Sequence, residues 1–235
     1  MSTIDRALII RRLGNDLSKK YAQGCAESCE EHNLPYEFID AVEFLSCEEA
    51  FASVGAKKAP EYKNTKGNCC CHSSHIKCWK RIIELDKPCL ILEHDAIVKG
   101  DVRNIDIPDM AVTTFGHRVR DINEYTPISE AKEFIKIPRA IGVHACGLTP
   151  KTAKWLWENA RDEGVSVGVD RWLMMARRSG LPLYVCHPEQ VVCWSRTSTS
   201  KMQNTNEQQK DGMKGSVVNY SNAFSPSWEK GLKRR

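Results

Sequence analysis

The 235-residue chain predicts an α/β fold in which a mixed, mainly parallel sheet is flanked by helices. Three observations lead to this class. Short apolar runs that are typical of buried strands alternate with longer segments whose apolar residues recur at helical spacing. The order of these segments along the chain is that of a sheet packed against helices. Charged residues directly follow several of the apolar runs, at the strand ends where ligands bind in open α/β sheets.

Composition and charge are ordinary for a soluble globular protein. The chain is 41% hydrophobic and 27% charged, and its formal net charge is +4. This mild basic excess permits a ligand such as a nucleotide diphosphate or DNA without requiring one. We find no run of about 18 apolar residues and no secretory signal, so we expect no membrane span and a cytoplasmic protein. The 11 cysteines are scattered and odd in number, so we expect reduced thiols.

The amino-terminal segment holds the first predicted strand and the first candidate ligand-binding residues. Ala7–Ile10 is a short apolar run, and Arg11 and Arg12 follow Ile10. Two arginines after a first strand can bind the base, ribose or phosphate of a nucleotide, and a solvated loop is the alternative. The next predicted elements are a helix over Leu17–His32 and a strand over Tyr36–Asp40.

The stretch from Gly67 to Gly100 is the centre of the predicted site. Its first half predicts a helix with one apolar face, and Ser74 and His75 are expected near the beginning of that helix. Free amide N–H groups and the helix dipole favour an anion at such a position. For His75, a purely structural role is the alternative.

The second half of this stretch supplies the acidic part of the site. A buried strand is predicted over Cys89–Leu92, and Glu93, His94 and Asp95 follow it directly. Two acids separated by one residue at a strand end can hold a divalent metal. The sequence therefore predicts a metal-binding and ligand-binding edge at this strand.

The run Cys69–Cys71 invites comparison with zinc sites. Such sites usually draw on two ligand pairs, for example two cysteines three positions apart together with a distant pair of cysteines or histidines. Ser74 stands where the second cysteine of a pair with Cys71 would be needed. We therefore expect buried thiols at the start of a helix rather than a zinc site.

The carboxyl half continues the alternation of strands and helices. Asp170 is predicted to cap a helix that runs through Arg178, and it is also a candidate functional acid. We expect an irregular loop over residues 116–139. Strands are predicted over Met110–Phe115, Ala140–Leu148, Leu183–Cys186 and Val191–Trp194, and a helix runs from Thr149–Pro150 to Asp162.

A change of composition after residue 195 suggests two parts. Residues 1–198 form the predicted α/β domain. Residues 199–235 are rich in Ser, Thr, Asn, Gln, Lys and Gly and end in a basic tip, so we expect a polar, partly flexible segment.

Several common enzyme signatures are missing from the sequence. It contains no glycine-rich dinucleotide fingerprint, no phosphate-binding P-loop and no nucleophile elbow. What remains is an acidic, metal-assisted site for a donor that carries phosphate.

A resemblance to a known family rests on two blocks. Gly67, Cys71, Ser74, His75 and Trp79, followed by Leu90 to Asp95, resemble the family 25 glycosyltransferases of the lipooligosaccharide and collagen-galactosyl type. The segments Gly142–Ala145, Thr149–Lys151 and Val169–Asp170 resemble later motifs of that family. The sequence departs from the family pattern at Cys70, Cys146 and His94, the last of which replaces the middle acid of an acidic triplet.

The resemblance implies a GT-A fold and a nucleotide-sugar donor, with UDP as the expected nucleotide. It implies Mn²⁺ or Mg²⁺ held by Asp95 with help from Glu93, and His187 as a further metal ligand or a structural histidine. Asp170 would activate the acceptor hydroxyl or bind the sugar, a role compatible with capping its helix. Ile10, Arg11, Arg12, Ser74, His75, Glu93, His94 and Asp95 would line the donor site.

The sequence leaves two kinds of acceptor molecule open for the transfer of a hexosyl or pentosyl group. Family relatives glycosylate lipid-linked glycans, so a cell-surface glycan of the lipopolysaccharide type is one expectation. The other is a hydroxymethylated pyrimidine in phage DNA, reached in the host cytoplasm by an enzyme with a basic face. A non-catalytic module that binds a nucleotide sugar or nucleic acid, with a decayed metal site at His94, is the alternative to an enzyme.

Overall fold

A computed structural model describes residues 2–63, 65–119, 133–137, 143–174, 179–187 and 189–194. These residues form helices packed against three sheets of seven, three and two strands. The helices are α1 (Asp16–Glu31), α2 (Cys47–Ala52), α3 (Lys66–Leu85), α4 (Pro150–Asp162) and α5 (Val169–Leu173). The strands are β1 (Ser2–Thr3), β2 (Arg6–Arg11), β3 (Tyr36–Asp40), β4 (Cys89–Glu93), β5 (Ala96–Val98), β6 (Asp106–Ile107), β7 (Val112–Thr114), β8 (Gly116–Val119), β9 (Glu133–Ile137), β10 (Ala145–Leu148), β11 (Leu183–His187) and β12 (Val191–Trp194).

The large sheet has the strand order β3-β2-β4-β10-β7-β11-β9. β2 is parallel to both β3 and β4, β10 runs antiparallel to β4 and β7, and β11 is parallel to β7 and antiparallel to β9. Five of the seven strands therefore share one direction, and β10 and β9 oppose it. The predicted fold class, a mixed and mainly parallel sheet flanked by helices, is confirmed.

Alternating side chains of the large sheet build two separate cores. In β4, Leu90 and Leu92 pack with the buried face of α1, whereas Ile91 packs with Trp79 of α3 and the apolar side of α4. The alternation follows from the two-residue period of a strand, and it buries both faces of the sheet. All three of these strand residues are fully buried.

The three-stranded sheet, in the order β5-β12-β8, is joined directly to the large one. The chain leaves β4 at Glu93, passes through His94 and Asp95, and enters β5 at Ala96. Phe115 alone separates β7 from β8, and its backbone carbonyl accepts from the amides of Gln190 and Val191. The acidic link of the predicted site thus lies where the two sheets meet.

Most of the predicted elements agree with the structure. α1, β3 and α4 match their predicted positions to within a residue, and Thr149 caps α4 ahead of Pro150. The predicted irregular loop over 116–139 is wrong in part, because β8 and β9 lie in it. The described residues hold no helix long and apolar enough to cross a membrane. The predicted segment 199–235 lies outside the described residues.

Three further expectations are corrected. α3 begins at Lys66, after the N-cap residue Thr65, so Ser74 and His75 lie in the helix interior and not near its beginning. The N-cap of α5 is Gly168, so Asp170 stands in the first turn and does not cap. Cys47 and Cys69 form a disulfide between α2 and α3, so the thiols are not all reduced.

Candidate active site

The strand register brings the predicted acidic residue to an edge shared by several strands. Ile10 of β2 pairs with Glu93 of β4, and the Glu93 amide donates to the carbonyl of His144 at 3.0 Å. Parallel strands β3, β2 and β4 end together here, which is the edge where open α/β sheets bind ligands. The topology therefore places Ile10 and Glu93 at one edge of the sheet, and ligand binding at this edge stays a prediction.

Glu93 turns toward helix α3. Its Oε1 lies 3.7 Å from Nε2 of His75, and the Cys71 thiol donates to the same oxygen at 3.9 Å. Cys71 and His75 are four residues apart and therefore project from one face of the helix. The ligand atoms of these three residues all lie within 4.8 Å of one another, so a single metal ion could be held between them.

Charges around Glu93 favour its ionised form. Burial by itself would raise the pKa of Glu93, but the imidazole of His75 opposes this, and His144 and His94 add to its effect. The pKa of Glu93 falls to about 2 as a result. The carboxylate is therefore charged throughout the physiological pH range and is available to a cation.

The pKa of Cys71 shifts in the opposite direction to that of Glu93. Burial raises the pKa of the Cys71 thiol well above its ordinary value, and the negative charges of Glu93 and Asp170 raise it further. In the absence of a cation the sulfur is a neutral thiol, which makes it a poor nucleophile. Nucleophilic catalysis by Cys71 is therefore not supported.

Asp95 and His94 turn toward the other face of the sheet. The ring of His94 stacks on Tyr21 of α1 with centroids 6.3 Å apart. Burial raises the pKa values of Tyr21 and Cys25 in the same helix, and the charge of Asp95 raises both further. Glu93 thus lies against α3 while Asp95 lies near α1, and their joint binding of one ion stays a prediction.

The two arginines at the carboxyl end of β2, Arg11 in the strand and Arg12 after it, each have an acidic partner. Nε of Arg11 lies 2.8 Å from Asp40, and its guanidinium stacks over Phe38. Nε of Arg12 lies 2.8 Å from Glu43, and only 12% and 10% of the two side chains are exposed. Nη1 of Arg12 is buried and has no hydrogen-bond partner among the described residues. Arg12 thus retains a donor that a nucleotide oxygen could use.

Ile10 and Ser74 support the site from within. Ile10 is 7% exposed and packs in the core on the α3 side, where it fixes the residues that follow it. The Ser74 hydroxyl donates to the carbonyl of Cys70 at 2.7 Å and accepts from the amide of Val42 at 2.9 Å. Ser74 therefore ties α3 to the segment after β3, and contact of either residue with a nucleotide stays a prediction.

An aromatic cluster places Asp170 on the α3 side. The rings of His72 and Trp172 lie 4.9 Å apart, and His72 Nδ1 lies 3.1 Å from the carbonyl oxygen of Val167. These contacts hold α5 against α3. Asp170 is exposed on the first turn of α5, and its charge acts on Cys71. The predicted functional acid and the Cys71–His75–Glu93 cluster thus belong to one neighbourhood.

His187 ends β11 at the same edge of the sheet. Through the pairs of β11 with β7, β7 with β10, and β10 with β4, its backbone is level with Glu93. Three strand spacings separate the two residues, which is roughly 14 Å between backbones. Its role as a metal ligand stays a prediction.

Sequence reasoning did not identify Cys71 and His144 as site residues. The four-residue spacing of Cys71 and His75 on a helix was the available signal for Cys71. For His144 the signal is spatial: a Cβ added to Gly116 would lie 2.5 Å from its Nε2, so the glycine leaves room for the ring. Both residues influence Glu93, as described above.

A separate cavity lies at another edge of the sheet. It has a volume of about 990 Å³ and opens near the amino ends of β2 and β4, where Asp5, Asp86 and Arg103 are among its lining residues. This is the edge of the sheet opposite to Glu93. The carboxyl-end edge remains the candidate site, because the acids, the histidines and the arginines converge there.

Comparison with known proteins identifies a family that one segment of the chain matches. Residues 17–112, which run from α1 to the start of β7, match the model of glycosyltransferase family 25, described as an LPS biosynthesis protein. The class of protein is therefore a glycosyltransferase, which acts on a sugar donor and a separate acceptor. The match covers less than half of the chain, and it confirms the predicted resemblance to glycosyltransferase family 25 over this segment. No curated protein matches the chain in sequence.

Two solved glycosyltransferases are similar in structure at low identity. One is involved in the glycosylation of the major capsid of PBCV-1; it is 13% identical, with 67% of each chain covered and a TM-score of 0.33. The other is GlyE of Streptococcus pneumoniae TIGR4, whose apo form is 13% identical, with a TM-score of 0.35. The match covers 68% of this chain and 37% of GlyE, so it spans well under half of that protein.

Proposed function

We propose that the chain transfers a sugar from a UDP-sugar to an acceptor hydroxyl with the help of Mn²⁺ or Mg²⁺. The observation that carries the proposal is the strand end Glu93–Asp95 inside the segment that matches the glycosyltransferase family. Next to it, the buried Nη1 of Arg12 could donate a hydrogen bond to a nucleotide oxygen. An acidic strand end beside a basic one suits a donor whose diphosphate is bound together with a cation.

The donor atoms of Glu93 and Asp95 fit the proposed ion. Both residues offer carboxylate oxygens, which hard cations such as Mn²⁺ and Mg²⁺ prefer, and His187 would be the third protein ligand. A bound ion would neutralise the charge that develops on the departing diphosphate. His94, stacked on Tyr21, would then lie between the two acids, beside the nucleotide rather than on the metal.

The remaining residues bind, orient and accept a proton. Arg11 and Arg12 hold the ribose or phosphate, with Ile10 fixing them, and Ser74 and His75 keep α3 in register with the strand ends. The bond between the sugar C1 and the phosphate oxygen breaks as the bond from C1 to the acceptor oxygen forms. The proton of the acceptor hydroxyl passes to the Asp170 carboxylate, and the nucleoside diphosphate leaves.

A glycan of the lipopolysaccharide type is the acceptor that the family description favours. Hydroxymethylated pyrimidine in phage DNA is the competing acceptor, since the net charge of +4 permits contact with phosphates. Salt-sensitive binding of duplex DNA in a gel-shift assay would favour DNA, and its absence at low salt would count against it.

The test is mass spectrometry of candidate acceptors after incubation with a mixture of nucleotide sugars and Mn²⁺. We expect Asp95→Asn to reduce transfer at least about 100-fold, a typical cost of losing one electrostatic contact to the transition state. Asp86→Asn is the matched control, because Asp86 is exposed, sits in the left-handed conformation that asparagine tolerates, and lies at the opposite end of β4.

The alternative, a non-catalytic binding module, predicts a different result. The wild-type chain would then bind a nucleotide sugar but would neither release nor transfer its sugar. Transfer that is equal in the wild type and in Asp95→Asn would refute the assignment of Asp95.

A further inference from the structure

We propose that Cys71, His75 and Glu93 form a Zn²⁺ site next to the donor site. The sulfur of Cys71 lies 3.9 Å from Oε1 of Glu93, and Nε2 of His75 lies 3.7 Å from the same oxygen. All three ligand atoms lie within 4.8 Å of one another. In a tetrahedral zinc site, ligand atoms that are about 2.0–2.3 Å from the ion stand roughly 3.5 Å apart. Small side-chain movements would therefore close the cluster around an ion.

The two elements that carry the ligands are rigid. Cys71 and His75 are one helical turn apart on α3, a helix of 20 residues whose buried face includes Trp79. Glu93 is the last residue of β4, a central strand of the large sheet. Ligands on well-packed helices and strands are held more precisely than ligands on loops. The cluster is thus ordered before any ion binds.

The imidazole of His75 supplies an independent indication of a ligand. His75 is fully buried, and neither of its ring nitrogens has a hydrogen-bond partner among the described residues. Leaving a buried polar group unsatisfied costs about 1–3 kcal/mol. A metal ion bound to Nε2 would satisfy the nitrogen that faces Glu93.

The chemistry of the three donors selects zinc over the ion proposed for the donor site. Thiolate and imidazole are soft or borderline ligands that suit Zn²⁺, whereas Mn²⁺ and Mg²⁺ prefer oxygen. Binding displaces the thiol proton of Cys71 to solvent, so one proton is released for each ion that binds. Three protein ligands leave the fourth tetrahedral position open to water. Cys71 and Glu93 are both partly exposed, which gives the ion a route in.

The zinc site does not rest on the proposed transferase function, although the two share Glu93. It needs neither the donor nor Asp95, and it shares only Glu93 with the proposed donor metal. A carboxylate has two oxygens, and both contacts to the α3 residues go to Oε1. The site can therefore be tested without any assay of sugar transfer.

The experiment measures Zn²⁺ and Co²⁺ bound to the full-length chain. We expect one Zn²⁺ per chain by elemental mass spectrometry, and a near-ultraviolet thiolate-to-cobalt band after the stripped protein is reloaded with Co²⁺. Cys71→Ser should abolish this band and weaken Zn²⁺ binding at least about 100-fold, since loss of an outer-shell partner alone costs 10–100-fold. Cys78→Ser is the matched control, because Cys78 is also buried on α3 but does not belong to the cluster.

A second measurement uses only the wild-type chain, in case Cys71→Ser fails to fold. Zn²⁺ should slow alkylation of the Cys71 peptide by iodoacetamide, detected by mass spectrometry. The proposal is overturned if the wild type shows no cobalt–thiolate band and no zinc-dependent protection of Cys71. It is also overturned if folded Cys71→Ser binds Zn²⁺ as the wild type does. Asp95→Asn should keep the cobalt band, so loss of transfer and loss of zinc are distinguishable.

Discussion

Nε2 of His75 lies 3.7 Å from Oε1 of Glu93, and this contact joins the interior of α3 to the carboxyl end of β4. The helix and the strand are consecutive elements joined by the turn at Asp86–Pro88. The turn connects the end of α3 to the start of β4, and the contact of His75 with Glu93 joins α3 to the other end of that strand. This contact also determines the ionisation of the residue on which both proposed metal sites depend.

The first prediction concerns acid stability and Glu93. Its pKa is lowered from 4.5 to about 2, so its stabilisation is complete above about pH 4.5 and is lost as the pH falls toward 2. Metal-free Glu93→Gln should unfold with a free energy lower than that of the wild type by on the order of 2–3 kcal/mol at neutral pH. Urea denaturation of both proteins from about pH 6 to about pH 3 should show this difference shrinking. A difference that is constant over this range would contradict the prediction.

A second prediction concerns His72 inside the aromatic cluster. The pKa of His72 is lowered from 6.5 to about 3, first by burial and then by the charge of His75, while the contact with the Val167 carbonyl opposes both effects. Between pH 6.5 and 3, His72 is protonated in the unfolded chain but stays neutral in the folded chain. The free energy of unfolding therefore decreases as the pH falls from about 6.5 toward 3. One such group contributes a slope of up to about 1.4 kcal/mol per pH unit.

His72→Gln should flatten that slope. The glutamine amide can still donate to the carbonyl of Val167 but does not titrate. Denaturation of the variant and the wild type at several pH values between about 6.5 and 4 checks the prediction. Parallel curves for the two proteins would show that His72 is not the group responsible.

Gly116 and Gly24 provide a matched pair of glycine substitutions. A Cβ at Gly116 would lie 2.5 Å from Nε2 of His144, whereas a Cβ at Gly24 in α1 would meet nothing within 4 Å. Gly116→Ala should destabilise the protein by about 1–3 kcal/mol and shift the NMR signals of His144. Gly24→Ala should stabilise it by up to about 1 kcal/mol, because alanine favours a helix interior. Equal effects at the two positions would contradict the described packing around His144.

The disulfide between Cys47 and Cys69 should contribute to stability. It closes a loop with a sequence separation of 22 residues. By chain entropy, a loop of this size contributes about 3 kcal/mol. Cys47→Ser should therefore lower the free energy of unfolding by about this amount, and reductant should destabilise the wild type but not the variant. Melting curves of the wild type that coincide with and without reductant would show that the bond does not form in solution.

The fold was accessible from the sequence because its elements follow local patterns. The apolar runs of β2, β3 and β4 and the Thr149–Pro150 start of α4 each predict their element without tertiary information. The start of α3 was not accessible in this way. Glycine, asparagine and cysteines are weak helix formers, and the first turns of α3 are stabilised by the Thr65 cap and by burial against α2.

The site was predictable only in its strand ends. Glu93 and Asp95 lie at the strand ends, as predicted from the sequence, and their role in a site stays a prediction. The sequence treats them as a pair, whereas in the structure Glu93 lies against α3 and Asp95 lies near α1. The contact between Cys71 and Glu93 spans 22 positions, and local periodicity contains no signal for such a distance. The role of Phe115 in separating β7 from β8 likewise depends on pairing with residues far along the chain.

The short links between the two sheets have a mechanical consequence. Only His94 and Asp95 separate β4 from β5, so a ligand held by these residues would bridge both sheets at once. Amide groups of the three-stranded sheet should then exchange with deuterium more slowly when donor is bound, although none of its strands carries a proposed donor contact. Bound donor would reduce the relative motion of the two sheets. Hydrogen exchange in β5 and β12 would therefore report whether the donor is bound, although these strands make no proposed contact with it.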